Sequence, residues 1–279
     1  MGLAVLLALA AAGGLIALMV AQAYSPSLVR RKVVCPRLPA EFQGFRVLQL
    51  SDLHMMHLGR RERAIRRLVR DLKPDVVALT GDLAQDEVAA RELAGLVRSA
   101  GASEGAFAIS GNADVRFPLV WEGVKRVLRE GGIAVLENEH RLLRRGKALM
   151  VLAGVEDPHT GLDDLRSALA GAPGDAFILL LAHSPSIIVA AVEAGCDLVL
   201  SGHTHGGQIV LPGYGPLLTR SGYGKRLSSG LFGGERLRRI IGMDPGRTQV
   251  YISRGIGSSF LPLRLLCRPE VTLFELTRE

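Results

Sequence analysis

Beyond residue 44 the chain is punctuated by short runs in which nearly every position is apolar: 45–50, 76–80, 106–110, 148–154, 177–182 and 198–201. Runs of this length, bounded by Gly, Pro and Asp, read as strands buried on both faces. Between the first two, Ile65, Leu68, Val69 and Leu72 recur at i, i+3, i+4 and i+7, while Arg63, Arg66, Arg67 and Arg70 form a second stripe at the same spacing. One helix there buries its aliphatic side and shows arginines to solvent or to anionic headgroups. Further helical patterns cover 87–99, 119–130 (stopped by Gly131-Gly132) and 186–194, behind Ser184-Pro185. Strand and helix in alternation predict an α/β core. After Gly206 the chain turns glycine-rich and irregular, then offers two more strand-like runs, 249–253 and 271–276.

The first residues follow a different pattern. Gly2 to Ala21 are all apolar or glycine, and no Asp, Glu, Lys or Arg precedes Arg30. As a helix this run is about 30 Å long, the thickness of a bilayer core. It lacks the positive n-region of a secretory signal, so residues 1–23 read as an uncleaved, single-pass anchor in the cell inner membrane. Export after cleavage near Ala23 is the alternative, since Ala21-Gln22-Ala23 imitates a cleavage site. Arg30, Arg31 and Lys32 follow the run, and basic residues on that side predict a cytoplasmic body. Residues 24–44, with Pro26, Pro36 and Pro39, read as a linker, and 45–279 as one domain without internal repeats.

Composition sharpens this picture. Of 279 residues 48% are hydrophobic and 22% charged, enough for a substantial core. Cys35, Cys196 and Cys267 are odd in number and lack CxxC spacing, which removes a disulfide framework and a zinc knuckle. The net charge of +7 calls for an anionic partner. Aromatics are only 5% and no RNP-like or zinc-finger pattern occurs, so no nucleic acid is expected. A phosphorylated lipid at a membrane fits better beside an anchor.

Metal-competent side chains stand directly after the apolar runs: Asp52 and His54, Asp82, Asn112, His183, then His203 and His205. In α/β sheets ligands gather outside the carboxyl ends of strands, so these segments are expected to converge. Helix capping explains a single Asp after a strand, but not seven such residues. Carboxylate, carboxamide and imidazole without thiolate suit Mn²⁺, Fe²⁺, Zn²⁺ or Mg²⁺. Seven ligands exceed one tetrahedral ion and match two divalent metal ions, a known device for displacement at phosphorus.

In this order, Ser-Asp-Leu-His (51–54), Gly-Asp (81–82), Gly-Asn-Ala-Asp (111–114), Ala-His-Ser-Pro (182–185) and Gly-His-Thr-His-Gly-Gly-Gln (202–208) resemble the five motifs of the calcineurin-like metallophosphoesterases. Ser-Arg-Gly-Ile-Gly (253–257), Leu-Pro-Leu-Arg (261–264) and Cys-Arg-Pro-Glu (267–270) resemble the membrane-anchored bacterial branch, which includes a UDP-2,3-diacylglucosamine pyrophosphatase of lipid A synthesis. The resemblance implies a four-layer αββα sandwich behind the anchor and hydrolysis of a phosphodiester or pyrophosphate bond. Its substrate would be a phosphorylated lipid or nucleotide-activated glycolipid. It implies a first metal on Asp52, His54, Asp82 and His205, and a second on Asp82, Asn112, His183 and His203. Asp82 would bridge them, and a metal-bridging hydroxide would be the nucleophile.

One position departs from the pattern. Where the family commonly has a histidine in its third motif, this chain has Ala113. Loss of a general acid costs on the order of 10²–10⁴ in rate for a poor leaving group and little for a stable anion, which favours a diphosphate or activated diester. Asp114 remains as a candidate for proton transfer or for ordering the loop. His57 or His159 could replace the imidazole, and Arg254, Arg264 and Arg268 are candidates for substrate phosphate or for ordinary ion pairs. A catalytically weak metal-binding scaffold and an exported broad-specificity phosphodiesterase are the alternative functions.

Overall fold

The computed structural model describes residues 2–219 and 221–279. The helices are α1 Gly2–Ala23, α2 Arg60–Val69, α3 Glu87–Arg98, α4 Pro118–Glu130, α5 Leu165–Ala168, α6 Ile188–Glu193 and α7 Gly234–Ile241. The strands in the first half are β1 Ser27–Val34, β2 Phe45–Leu50, β3 Val76–Thr80, β4 Ala106–Ile109, β5 Ile133–Val135, β6 Glu139–Arg145 and β7 Ala148–Gly154. Those in the second are β8 Phe177–Leu181, β9 Leu198–Ser201, β10 Val210–Leu211, β11 Gly215–Pro216, β12 Gly230–Phe232, β13 Gln249–Ile252 and β14 Glu270–Thr277.

Two six-stranded sheets form, ordered β1-β14-β2-β3-β4-β5 and β12-β13-β9-β8-β7-β6, with β10 and β11 as a separate hairpin. The middle of each is parallel: β2 to β5 in the first, β7, β8, β9 and β13 in the second. Antiparallel pairs lie outside these parallel runs, β14 on β2 and, in the second sheet, β6 on β7 and β12 on β13.

The apolar runs are continuous because each strand is covered twice. Val47, Ala78 and Ile109 pack against Leu152, Leu179 and Leu200 between the sheets. Their immediate neighbours Leu48, Val77 and Ala108, on the opposite face, meet Ile65, Leu93 and Val127 of α2, α3 and α4. On the far side Val151, Leu180 and Val199 meet Ala168, Ile188 and Leu237 of α5, α6 and α7. Alternate side chains therefore serve two cores, and the layers are helix, sheet, sheet, helix as expected.

Residues 24–44 are not a linker. Ser27–Val34 is an edge strand, paired in parallel with β14 along all eight residues, with Val33, Cys35, Leu38 and Phe42 in the inter-sheet core. Its Arg30, Arg31 and Lys32 are exposed, as charged side chains on a protected edge should be. The prolines bound this strand and do not interrupt it. The cysteines are all buried thiols. Helix α1 is apolar and solvent-facing except at its end, with a mean hydropathy of 2.6, and is long enough to cross a membrane.

Candidate metal centre

The ends of β2, β3, β8 and β9 deliver their predicted side chains to one place. Asp52 and His54 follow β2, Asp82 follows β3, Asn112 follows β4, His183 follows β8, and His203 and His205 follow β9. Asp52, His54, Asp82 and His205 present ligand atoms all within 4.8 Å of one another. His54 Nε2 lies 3.4 Å from Asp82 Oδ2 and 3.3 Å from His205 Nε2, and His205 Nε2 lies 3.5 Å from Asp52 Oδ1. On the other side of Asp82, His183 Nε2 is 3.5 Å from the same Oδ2 and 3.3 Å from His203 Nδ1. One carboxylate oxygen thus faces imidazoles from two clusters.

The donors fit divalent cations. Paired imidazole nitrogens at 3.3 Å are reconciled only by a shared proton or by a cation taking their lone pairs. Asn112 Oδ1 is buried without a hydrogen-bond partner, an expensive state for an acceptor that no ligand uses. All donors are nitrogen or oxygen, as borderline to hard ions require.

Neighbouring groups aim the donors. Ser51 Oγ donates to Asp52 Oδ2 at 2.6 Å, and the His203 N–H donates to Asp52 Oδ1 at 2.9 Å. The Ala113 N–H donates to Asp82 Oδ1 at 2.7 Å, leaving Oδ2 toward the imidazoles. His183 Nδ1 is 2.8 Å from the Thr80 carbonyl, which can only accept, so Nδ1 carries a proton and Nε2 is the nitrogen left to ligate a cation. The backbone is bent to match: Asp52, His54, Asp82, His203 and His205 all have φ between 44° and 68°. Asp and His tolerate this left-handed region better than most residues, at about 1–3 kcal/mol each. Gly202 is required by close approach, since a Cβ there would stand 2.0 Å from Ser51 Oγ and 2.3 Å from Asp52 Oδ2.

The charges are strongly coupled. Burial pushes the Asp82 carboxyl up, but His183, His54 and the Ala113 N–H outweigh it and hold it well below the usual carboxylate range. Burial would lower His183, yet Asp82, with Asp52 and Asp157, lifts it to about 10. Burial raises Asp52. Burial, His54 and Arg264 push His205 well down.

The remaining candidates separate. Asp114 is buried and accepts from the Leu83 and Gly111 N–H groups, both at 2.8 Å. Burial and the Asp82 charge push its carboxyl up to about 7. His159 is exposed, but its ring lies 4.7 Å from that of His203. His57 lines a cavity beside His54. Arg254 is paired with Glu270 at 2.6 Å, and Arg268 is bonded to Ser25, so neither is directed at the centre. Arg264 is wholly buried: its Nη1 donates to the Arg254 and Cys267 carbonyls and its Nη2 to the Gly255 and Gly257 carbonyls, with His205 Nδ1 3.5 Å away. It supports the loop behind His205, a role its sequence position did not signal.

A family model described as calcineurin-like phosphoesterase matches residues 45–207. The uncharacterized metallophosphoesterase YkuE of Bacillus subtilis is 31% identical, aligned over 86% of this chain and 81% of its own. The phosphodiesterase YaeI of Escherichia coli is 30% identical, over 83% and 82% respectively. A transmembrane protein with metallophosphoesterase domain from Danio rerio is 31% identical over 90% of this chain, which spans 57% of that relative.

Proposed function

The chain belongs to the calcineurin-like phosphoesterase family and is a phosphoester hydrolase that works with divalent metal ions, and from that premise we propose that it cleaves a diphosphate or activated diester bond in an anionic amphiphile at the membrane. The observation that carries the reading is Asp82 Oδ2, which stands 3.4 Å from His54 Nε2 and 3.5 Å from His183 Nε2. We assign Asp82 as the carboxylate that two ions would share, one that would be held by Asp52, His54 and His205 and another that would be held by Asn112, His183 and His203. Bound there, two divalent ions supply an activated water and neutralise charge developing on phosphorus.

The chain's own part is to hold the donors still. Ser51 and the His203 N–H fix Asp52, the Ala113 N–H fixes Asp82, and Thr80 sets the His183 tautomer. Asp114 ties the Gly111 and Leu83 amides together, so we read it as the residue that orders the loop carrying Asn112 and Ala113. Without an imidazole at Ala113, a leaving group stable as an anion is favoured.

The apolar helix α1 supports an anchored enzyme, and Arg30, Arg31 and Lys32 beyond it support a cytoplasmic body at the inner membrane. The specific substrate we propose is UDP-2,3-diacylglucosamine, whose cleavage releases UMP. Metal-replete full-length protein is expected to hydrolyse bis-p-nitrophenyl phosphate with Mn²⁺ and to release UMP from the glycolipid well above background. Turnover of the first with none of the second would remove the glycolipid. Absence of both would sink the hydrolase reading for this chain and favour a metal-binding scaffold.

A further inference from the structure

Beside the centre lies a cavity of about 570 Å³, far more room than a phosphoryl group needs. Its lining includes His54, Asp82 and Ala113 of the centre together with Tyr24 and Phe260. Its wall is the α4 face carrying Val120, Trp121 and Val124. Trp121 is 4% exposed, and its indole N–H is buried without a hydrogen-bond partner. Of the lining residues Phe117 is 61% and Phe260 83% exposed, and Arg60 and Arg116 add positive charge.

The opening is fastened to the base of α1. Met19 and Ala23 are buried against the body. The Arg264 N–H donates to the Met19 carbonyl at 3.1 Å, and the Leu266 N–H to Gln22 Oε1 at 2.9 Å. The segment from Ser258 to Pro262, which lines the cavity, runs directly into these contacts, and Tyr24, the first residue after α1, lines it too. Exposed aromatics beside the end of a membrane-spanning helix sit at headgroup level.

We infer that this cavity is an acyl-chain subsite for a phosphorylated lipid that enters between Tyr24 and Phe260 without leaving the bilayer completely. The chain lies along Val120, Trp121 and Val124, and the anionic head meets Arg60 and Arg116. The position of the phosphorus at Asp82 rests on the hydrolase reading; the seat of the chain does not. Each additional buried methylene is expected to tighten binding by roughly fourfold until the cavity is full.

Trp121 is the only tryptophan in the chain, so its fluorescence reports the subsite alone. Full-length protein in detergent micelles with EDTA, where no turnover occurs, is titrated with glycerol 3-phosphate bearing a 9,10-dibromostearoyl chain. The account expects saturable quenching, reversed by the bromine-free lipid. Val120→Glu should raise the half-saturation at least tenfold, while Leu119→Glu, one residue earlier and outside the cavity lining, shifts it less than twofold. If Val120→Glu loses the native circular dichroism spectrum, Val120→Phe, which fills the cavity, is read in its place. Quenching that is absent, that grows only with micelle loading, or that ignores a folded Val120 variant overturns the inference. Saturable quenching without bis-p-nitrophenyl phosphate turnover keeps the subsite and removes the hydrolase reading; turnover without saturable quenching does the reverse.

Discussion

The metal centre, the floor from which His54 and Asp82 reach the lining of this cavity, and the cavity's apolar wall are built on opposite principles. On the floor, Asp52, Asp82 and His183 are almost wholly buried and each is held by named hydrogen bonds. The wall is apolar and partly open, with Val120 and Phe117 facing solvent and Trp121 nearly buried. Buried polar groups are stabilised only by well-placed partners, so the floor tolerates one geometry, whereas an apolar surface accepts any chain of suitable girth. Chemistry is thereby fixed at one end and substrate choice left adjustable at the other.

That division can be broken from the floor first. Asp82→Asn removes the charge shared by both clusters and should lower kcat on bis-p-nitrophenyl phosphate by roughly 10³-fold, the worth of several kcal/mol of charge stabilisation. Saturable quenching of Trp121 should survive it. Gly202→Ala drives a Cβ into Ser51 and Asp52 and should cost about 1–3 kcal/mol, read as a lower urea midpoint together with weaker Mn²⁺ binding. Ser51→Ala removes one bond to Asp52 and should weaken Mn²⁺ binding by roughly 10-fold at nearly unchanged stability. Ala113→His should raise turnover of an alkyl phosphomonoester by about tenfold while barely altering that of a p-nitrophenyl diester, since only the first needs its leaving oxygen protonated.

The smallest effect concerns protons. Metal-free His183, lifted to about 10, carries a proton at pH 7.5 that a cation must expel. Calorimetric titrations with Mn²⁺ in buffers of different ionisation enthalpy should show proton release, and apparent affinity should fall as pH is lowered. Affinity independent of pH between 6 and 9 would show that metal-free His183 holds no such proton there.

The floor was legible in the sequence because each of its side chains stands immediately after a strand, where a continuous apolar run announces it. Runs such as 76–80 and 198–201 are recognisable because both faces of those strands are covered. Charged edge strands such as Ser27–Val34 and Glu139–Arg145 lack that signal: their polar side chains face solvent, and long-range pairing alone makes them strands. Helix α7 was hidden behind Gly233-Gly234, and only its packing on Phe232 and Val250 in the outer core makes it a helix. The left-handed backbone at five of the site residues left no compositional trace. Nor did the wall, because Tyr24, Trp121 and Phe260 are far apart in the chain and line one cavity only once the last turn of α1 is seated on the segment after Phe260.

The central claim is that Asp82 joins two ions in one centre. Its most direct measurement is electron paramagnetic resonance of full-length protein titrated with Mn²⁺, alongside metal content. The account predicts two ions per chain with an exchange-coupled signal that Asp82→Asn abolishes. A single ion per chain giving an uncoupled six-line spectrum, with activity at its maximum, would contradict it.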